Sequence, residues 1–284
     1  MKDKYLKQVS LLTRAGKLGT RVGFAALGLL LLGTCAPRAL AWGITWSDEF
    51  TGASSAAQPW VGNWQYDLGN NGGWGNGELE TYVNSWANAH MVWDGTGTDS
   101  QCLQIEAQTD NQGRWYSARI NSYPHNGGGH LVVPGSYVEF RCKFPNAGKG
   151  YWPACWMLGT VGGQWPACGE IDVAEEVDGQ WENHQSLHMP GWNPTVVWTV
   201  DHSTTTYHNY GAWWPADGSS ITFNMDGNNS ATYYRGTAGT WEFNNNNRFF
   251  ILINLAIGGF FPGNPDGSTQ DNGNFDIDYV RQWN

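Results

Sequence analysis

Short runs in which apolar and polar residues alternate, each closed by Gly, Asn, Asp or Pro, constrain this chain more than any other feature. Tyr137-Val138-Glu139-Phe140-Arg141-Cys142-Lys143-Phe144 shows the pattern most cleanly, and Cys102-Leu103-Gln104-Ile105-Glu106-Ala107, Ile221-Thr222-Phe223-Asn224-Met225 and the apolar run 249–257 repeat it. A period of two puts every second side chain on one face, which is the habit of a half-buried strand. Helical spacing does not persist beyond a turn or two after residue 41. The expectation is therefore an all-β chain, two antiparallel sheets packed as a sandwich, forming one domain over residues 42–284. The Asn run at 244–247 and the Gly run at 127–129 mark loop tips.

Residues 1–41 read differently. Lys2, Lys4, Lys7, Arg14, Lys17 and Arg21 precede an apolar stretch at 22–36, which is followed by Ala39-Leu40-Ala41. This is the build of a secretion signal, with cleavage expected after Ala41. The stretch is short of the ~20 residues that a membrane span needs. A secreted or periplasmic protein with no stable membrane partner is expected.

Loss of that segment removes seven of the fifteen basic residues and one of the twenty-five acidic ones, leaving a net charge of −16. Such a charge opposes phosphate backbones and other polyanions, so nucleic acid is excluded as a partner and a neutral one fits better. The eighteen tryptophans can stack on sugar rings as well as fill a core. In an exported chain the four remaining cysteines are expected as disulfides. The expected pairs are Cys155 with Cys168, which flank a short turn-rich loop, and Cys102 with Cys142. No zinc spacing, Gly-x-Ser-x-Gly elbow, phosphate loop or dinucleotide fingerprint occurs.

Gly169-Glu170-Ile171-Asp172-Val173-Ala174-Glu175-Glu176 places four carboxylates in seven residues of a strand-like run. On a regular strand Glu170 and Asp172 share one face while Ile171 and Val173 face the other. Strict alternation would next expose Ala174 and Glu176, whereas a β-bulge near Val173 and Ala174 would bring Glu175 round to join the first two. The spacing alone leaves both choices open. Two such acids suit glycosidic cleavage, in which Glu170 attacks the anomeric carbon and the second glutamate protonates the departing oxygen. Asp172 between them would raise the acid's pKa and hydrogen-bond the nucleophile.

The run Glu170-Ile171-Asp172-Val173-Ala174-Glu175 resembles the signature of the family 16 glycoside hydrolases, and more particularly of their laminarinase branch. Further matches follow in order. They are Trp46-Ser47-Asp48-Glu49-Phe50, Trp74-Gly75-Asn76-Gly77-Glu78-Leu79-Glu80-Thr81-Tyr82, Ser117-Ala118-Arg119-Ile120, Trp152-Pro153-Ala154-Cys155-Trp156-Met157-Leu158-Gly159, Asn254-Leu255-Ala256-Ile257-Gly258-Gly259 and Asp278-Tyr279-Val280-Arg281.

The resemblance implies a concanavalin-like jelly roll with a concave cleft and a monomeric enzyme that needs no organic cofactor. It also implies retaining cleavage of internal β-1,3 or mixed β-1,3/1,4 bonds in neutral glucans. It makes Glu170 the nucleophile, Asp172 its assisting carboxylate and Glu175, not Glu176, the acid/base. Asn76, Arg119 and Trp165 match substrate-contacting positions, with Trp152 a further one. A structural calcium ion held by Asp278, with carbonyls of Glu49 and Gly95, is the one metal the resemblance brings in. Ala174, where the branch commonly has Met, and residues 182–192 depart from the pattern.

His184 and His188 have the spacing of a helical metal pair, but on a strand they stand ~13 Å apart, too far to share an ion. His188 is instead read as a hydrogen-bonding partner near the cleft. Trp156 suits core packing and sugar contact equally. A glucan-binding protein, or a galactan hydrolase or transglycosylase, would use the same scaffold. The paired glutamates weigh against the first and the acidic charge against sulfated galactans.

Overall fold

The alternating runs become strands, and their apolar phases become the two inner faces of a sandwich. The structure, a computed structural model, describes residues 42–52, 57–93, 95, 101–177, 182–199, 206–237 and 240–284, and the expected secretion signal lies outside the described residues. The seven-stranded sheet runs in the order β12 (Thr195–Thr199), β11 (Glu182–His188), β10 (Glu170–Glu175), β9 (Tyr151–Gly159), β16 (Phe249–Ile257), β7 (Arg119–Asn121), β2 (Gln65–Tyr66). The larger sheet runs β15 (Asn228–Tyr234), β14 (Ser220–Met225), β13 (His208–Trp214), β8 (Ser136–Lys143), β17 (Gly273–Trp283), β5 (Cys102–Thr109), β6 (Trp115–Ser117), β3 (Thr81–Tyr82). Two further strands, β1 (Ile44–Asp48) on β17 and β4 (Ala89–Val92) on β5, complete it.

Val138, Phe140 and Cys142 of β8, Tyr210, Ala212 and Trp214 of β13, and Ile221 and Phe223 of β14 point inward. They meet Cys155 and Met157 of β9, Ile171 and Val173 of β10, and Ile251, Ile253 and Leu255 of β16. Each large apolar side chain so buried contributes roughly 1.5–3 kcal/mol. That interface holds the seven-stranded sheet rigid and leaves its other face to the solvent.

The expected disulfides are not formed. Cys142 on β8 and Cys155 on β9 reach the core from opposite sheets, and the Cys155 thiol faces that of Cys142. Cys168 ends the loop before β10, and Cys102 stands opposite Val92 where β4 pairs with β5. Closeness along the chain favoured Cys155 with Cys168. Sheet packing instead turns Cys155 across the sandwich.

Candidate active site

The outward phase of β10 carries Glu170, Asp172 and Glu175, and cross-strand register extends each into a row. Leu158, Glu170 and His188 form one row, and Trp156, Asp172 and Ser186 form the next. In the third, Arg119, Asn254, Ala154, Glu175 and His184 follow one another across five strands. All of these line a cleft of about 670 Å³, together with Trp74, Asn76, Glu78, Trp152, Trp165, Asn193, Thr195 and Phe261.

Glu175 reaches this face because β10 bulges. Relative to β11, Asp172 pairs with Ser186 and Glu175 with His184, so three residues are covered against two; relative to β9, Val173 is the one left over. A bulge strips backbone groups of ladder partners. Here two buried amides of β11 replace them: Asn183 Oδ1 accepts the Glu175 N–H at 3.0 Å, and Gln185 Nε2 donates to the Val173 carbonyl at 2.9 Å. Glu176 is buried away from the cleft, with its N–H bonded to the Pro153 carbonyl at 3.2 Å. Gly169, with φ of 79°, makes the left-handed turn into β10, and a Cβ there would lie 2.8 Å from Glu242. Only glycine enters that conformation without strain.

All six expected substrate-contacting residues stand in the cleft: Asn76, Arg119, Trp152, Trp156, Trp165 and His188. Trp156 is thereby a cleft residue and not a core one. Its Nε1 donates to Asn254 Oδ1 at 2.7 Å, Asn254 Nδ2 donates to Tyr82 Oη at 3.1 Å, and Tyr82 donates to Glu78 Oε2 at 3.2 Å. Arg119 lies between the Trp74 and Trp156 rings at 4.6 and 4.9 Å, anchored by Asp67 at 2.9 Å. Trp165 stands 57% exposed at the rim, its ring 6.0 Å from His188.

Ser186, Asn193, Thr195 and Phe261 join the cleft without a signal singled out in the sequence, His184 stands out there only by its spacing from His188, and Trp74, Glu78 and Asn254 only as parts of motifs. Ser186 and His184 share the two-residue phase of His188, a signal that could have found them. Phe261 and Asn193 lie beyond strand ends, where periodicity says nothing.

Burial pushes the Glu175 carboxyl up to about 8, with Asp172 adding to the shift; the Trp152 Nε1–H, which donates to Oε1 at 2.7 Å, and His188 oppose it. Burial likewise raises Asp172 to about 8. Glu170 is raised by burial and then by Asp172, while His188 and Arg119 favour its charged form. His188 Nε2 is 3.0 Å from Asp172 Oδ2 and 3.7 Å from Glu170 Oε1. The first approach is out of line for a hydrogen bond, and Asp172 Oδ2 has no donor among the described residues. All three carboxyls are thus raised by burial, and what sets Glu170 apart is that both His188 and Arg119 oppose its rise. Glu170, Asp172 and His188 also bring ligand atoms within 4.8 Å of one another, the one grouping among the described residues compact enough for a metal.

The residues suggested for calcium lie elsewhere. Asp278 is fully buried, with Oδ2 3.4 Å from Arg141 Nη1. The Glu49 carboxylate is held by Arg281 at 2.7 Å and so offers only its carbonyl, and Gly95 is exposed.

Sandwich, cleft and paired carboxylates together define an enzyme that cleaves glycosidic bonds. The chain belongs to glycoside hydrolase family 16: the family model described as "XgeA-like, catalytic GH16 domain" matches residues 79–248. It is 30% identical over 282 residues to a glucan endo-1,3-beta-glucosidase of Cryptopygus antarcticus, covering 89% of this chain and 96% of that one. It is 32% identical over 279 residues to glucan endo-1,3-beta-glucosidase A1 of Niallia circulans, covering 84% of this chain but only 37% of the relative's length. Among solved structures, an endo-1,3-beta-glucanase of Streptomyces sioyaensis superposes with a TM-score of 0.73 at 29% identity, over 85% of this chain and 96% of that one.

Proposed function

We propose that this chain is an exported, monomeric endo-β-1,3-glucanase that hydrolyses laminarin-like glucans, with mixed β-1,3/1,4-glucan as a second substrate, and that it retains the anomeric configuration. The observation that carries the proposal is the β10 bulge, which sets Glu170 and Glu175 on one face with Asp172 between them. The names of the relatives supply the substrate class.

A glucan chain would lie across the strands, its rings against Trp74, Trp152, Trp156 and Trp165 and its hydroxyls toward Asn76, Arg119 and Asn254. The Glu170 carboxylate attacks the anomeric carbon as the glycosidic C–O bond breaks, and Glu175 delivers its proton to the departing oxygen. Glu175, now ionised, then takes a proton from water, whose oxygen displaces Glu170 and restores both acids. Asp172 and His188 tune the charge on the pair. Calcium bound through Asp278 and the carbonyls of Glu49 and Gly95 would brace the fold and take no part in the chemistry.

The test is reducing-sugar release on laminarin, mixed-linkage β-glucan, carboxymethylcellulose and agarose, with the product anomer followed by NMR. Release from laminarin with initial formation of the β-anomer is expected. Cleavage of agarose alone, or an α-anomer as first product, would overturn the proposal. Export is tested by sequencing the N-terminus of protein recovered outside the cell, expected at Trp42.

A further inference from the structure

The outward face of an antiparallel sheet that meets water is ordinarily polar. On the larger sheet of this sandwich it is aromatic across three strands. Trp283, Tyr137 and Trp213 stand side by side in register on β17, β8 and β13, followed by Thr222 on β14. They point away from the core, since their sequence neighbours Val138, Ala212 and Trp214 point into it. Trp42, 53% exposed, lies against Trp213 with ring centroids 4.7 Å apart, and Trp283 lies 5.5 Å from Tyr137. The next row places Asn224 of β14 beside Gly211 of β13, with Asn229 opposite Asn224.

Gly211 shows how this surface is made. A Cβ there would fall 2.1 Å from Tyr137 Oη and 2.4 Å from its Cζ, so the tyrosine ring lies flat over a glycine that leaves room for it. The phenol donates to Glu139 at 2.9 Å, which holds the ring down. A depression of about 340 Å³ results, lined by Trp42, Tyr137, Trp213, Thr222, Asn224 and Asn229. That volume is in the range of ligand sites.

We infer that this depression is a second carbohydrate-binding site, on the face of the sandwich opposite the cleft, which holds a stretch of neutral glucan without cleaving it. The lining carries no carboxylate, ammonium or guanidinium, and couples indole faces to amides and a hydroxyl. That chemistry suits the apolar faces and hydroxyl rims of uncharged pyranose rings. A polymer long enough to reach it would be held to the enzyme between cuts. The choice of glucan as the occupant rests on the proposed function.

The experiment uses the full-length Glu170→Gln protein, whose substrate stays intact, with Trp42→Ala and Trp213→Ala added singly. Retention by laminarin in affinity electrophoresis and adsorption to an insoluble linear β-1,3-glucan are measured. Each tryptophan substitution is expected to weaken both by roughly fivefold. In the active enzyme the same substitutions should leave the hydrolysis of a short soluble oligosaccharide unchanged and slow attack on the insoluble polymer. Trp42 is exposed, so its loss should leave the fold intact even if Trp213→Ala does not fold. Unchanged retention and adsorption in Trp42→Ala and in folded Trp213→Ala would overturn the inference. Failure of the glucanase proposal would look different, as no cleavage of any β-glucan by the unsubstituted protein.

Discussion

Two buried acidic groups flank the same cleft, and they differ in what their oxygens already hold. On one side, Glu78 accepts from Asn76 at 3.1 Å and from Tyr82 at 3.2 Å, and Glu80 accepts the Ile257 N–H at 2.7 Å. These acids tie the segment before β3 to β16 and, through Tyr82 and Asn254, orient the Trp156 ring. On the other side, the β10 acids meet few donors among the described residues: Glu175 receives Trp152, while Asp172 has His188 close by and Glu170 has His188 and the charge of Arg119. Burial raises Glu80 to about 8, as it does Glu175, so a raised pKa does not by itself distinguish scaffold from chemistry. Position does: Glu80 Oε1 also lacks a partner but Glu80 does not line the cleft, whereas Glu170, Asp172 and Glu175 do.

The comparison breaks most sharply at Glu170. Glu170→Gln should cut turnover by about 10⁴-fold or more with the fold intact, since the covalent nucleophile of the proposed mechanism would have no substitute; circular dichroism and laminarin hydrolysis together check it. Glu175→Gln should cost about 10²–10⁴-fold, and less on substrates with an activated leaving group, which need no proton. Turnover near that of the unsubstituted protein in either variant would move these acids to the scaffold side.

Gln185→Met probes the bulge that separates the groups. It strips the Val173 carbonyl of its buried donor, at a cost of about 1–3 kcal/mol. It should also lower kcat by more than the unfolded fraction explains, since Glu175 loses its phase; a fall in Tm with kcat per folded molecule unchanged would reduce Gln185 to structure.

His188→Ala sharpens the electrostatic half. His188 favours the charged forms of both Glu170 and Glu175, so its removal raises both carboxyls. The acid must be protonated and the nucleophile ionised, so both limbs of the kcat/KM profile should move to higher pH. A profile shifted to lower pH would contradict this.

Glu80→Gln should have the smallest effect on activity and a visible one on stability. A carboxyl at about 8 in the folded chain and near 4.5 unfolded binds more protons when folded. Its contribution is therefore full below the unfolded pKa and is lost as pH rises through about 8. The Gln variant should show a flatter decline of Tm between roughly pH 4.5 and 8, with laminarin hydrolysis retained.

Much of this was legible in the residues, because a period of two is local. The run from Tyr137 to Phe144 declares its inner and outer phases without help from the rest of the chain, and Glu170 with Asp172 declares a shared face. The resemblance then named Glu175 over Glu176, a choice alternation could not make. The reason for that choice lies on another strand, in Asn183 and Gln185, whose amides stabilise the bulge only once β11 pairs with β10. The cysteines show the same limit: Cys155 was matched to its neighbour in sequence, whereas the sandwich sets it against Cys142.

By itself, then, the sequence determined the all-β class, the core-facing phases and the acids of β10, since strand periodicity and like-charge clustering are short-range properties. Only the tertiary structure decided the row from Arg119 through Asn254 and Ala154 to Glu175 and His184, the partnered state of Glu78 and the thiol contact across the core. Those depend on register between strands far apart in the chain, which is set by sheet packing and leaves no periodic trace.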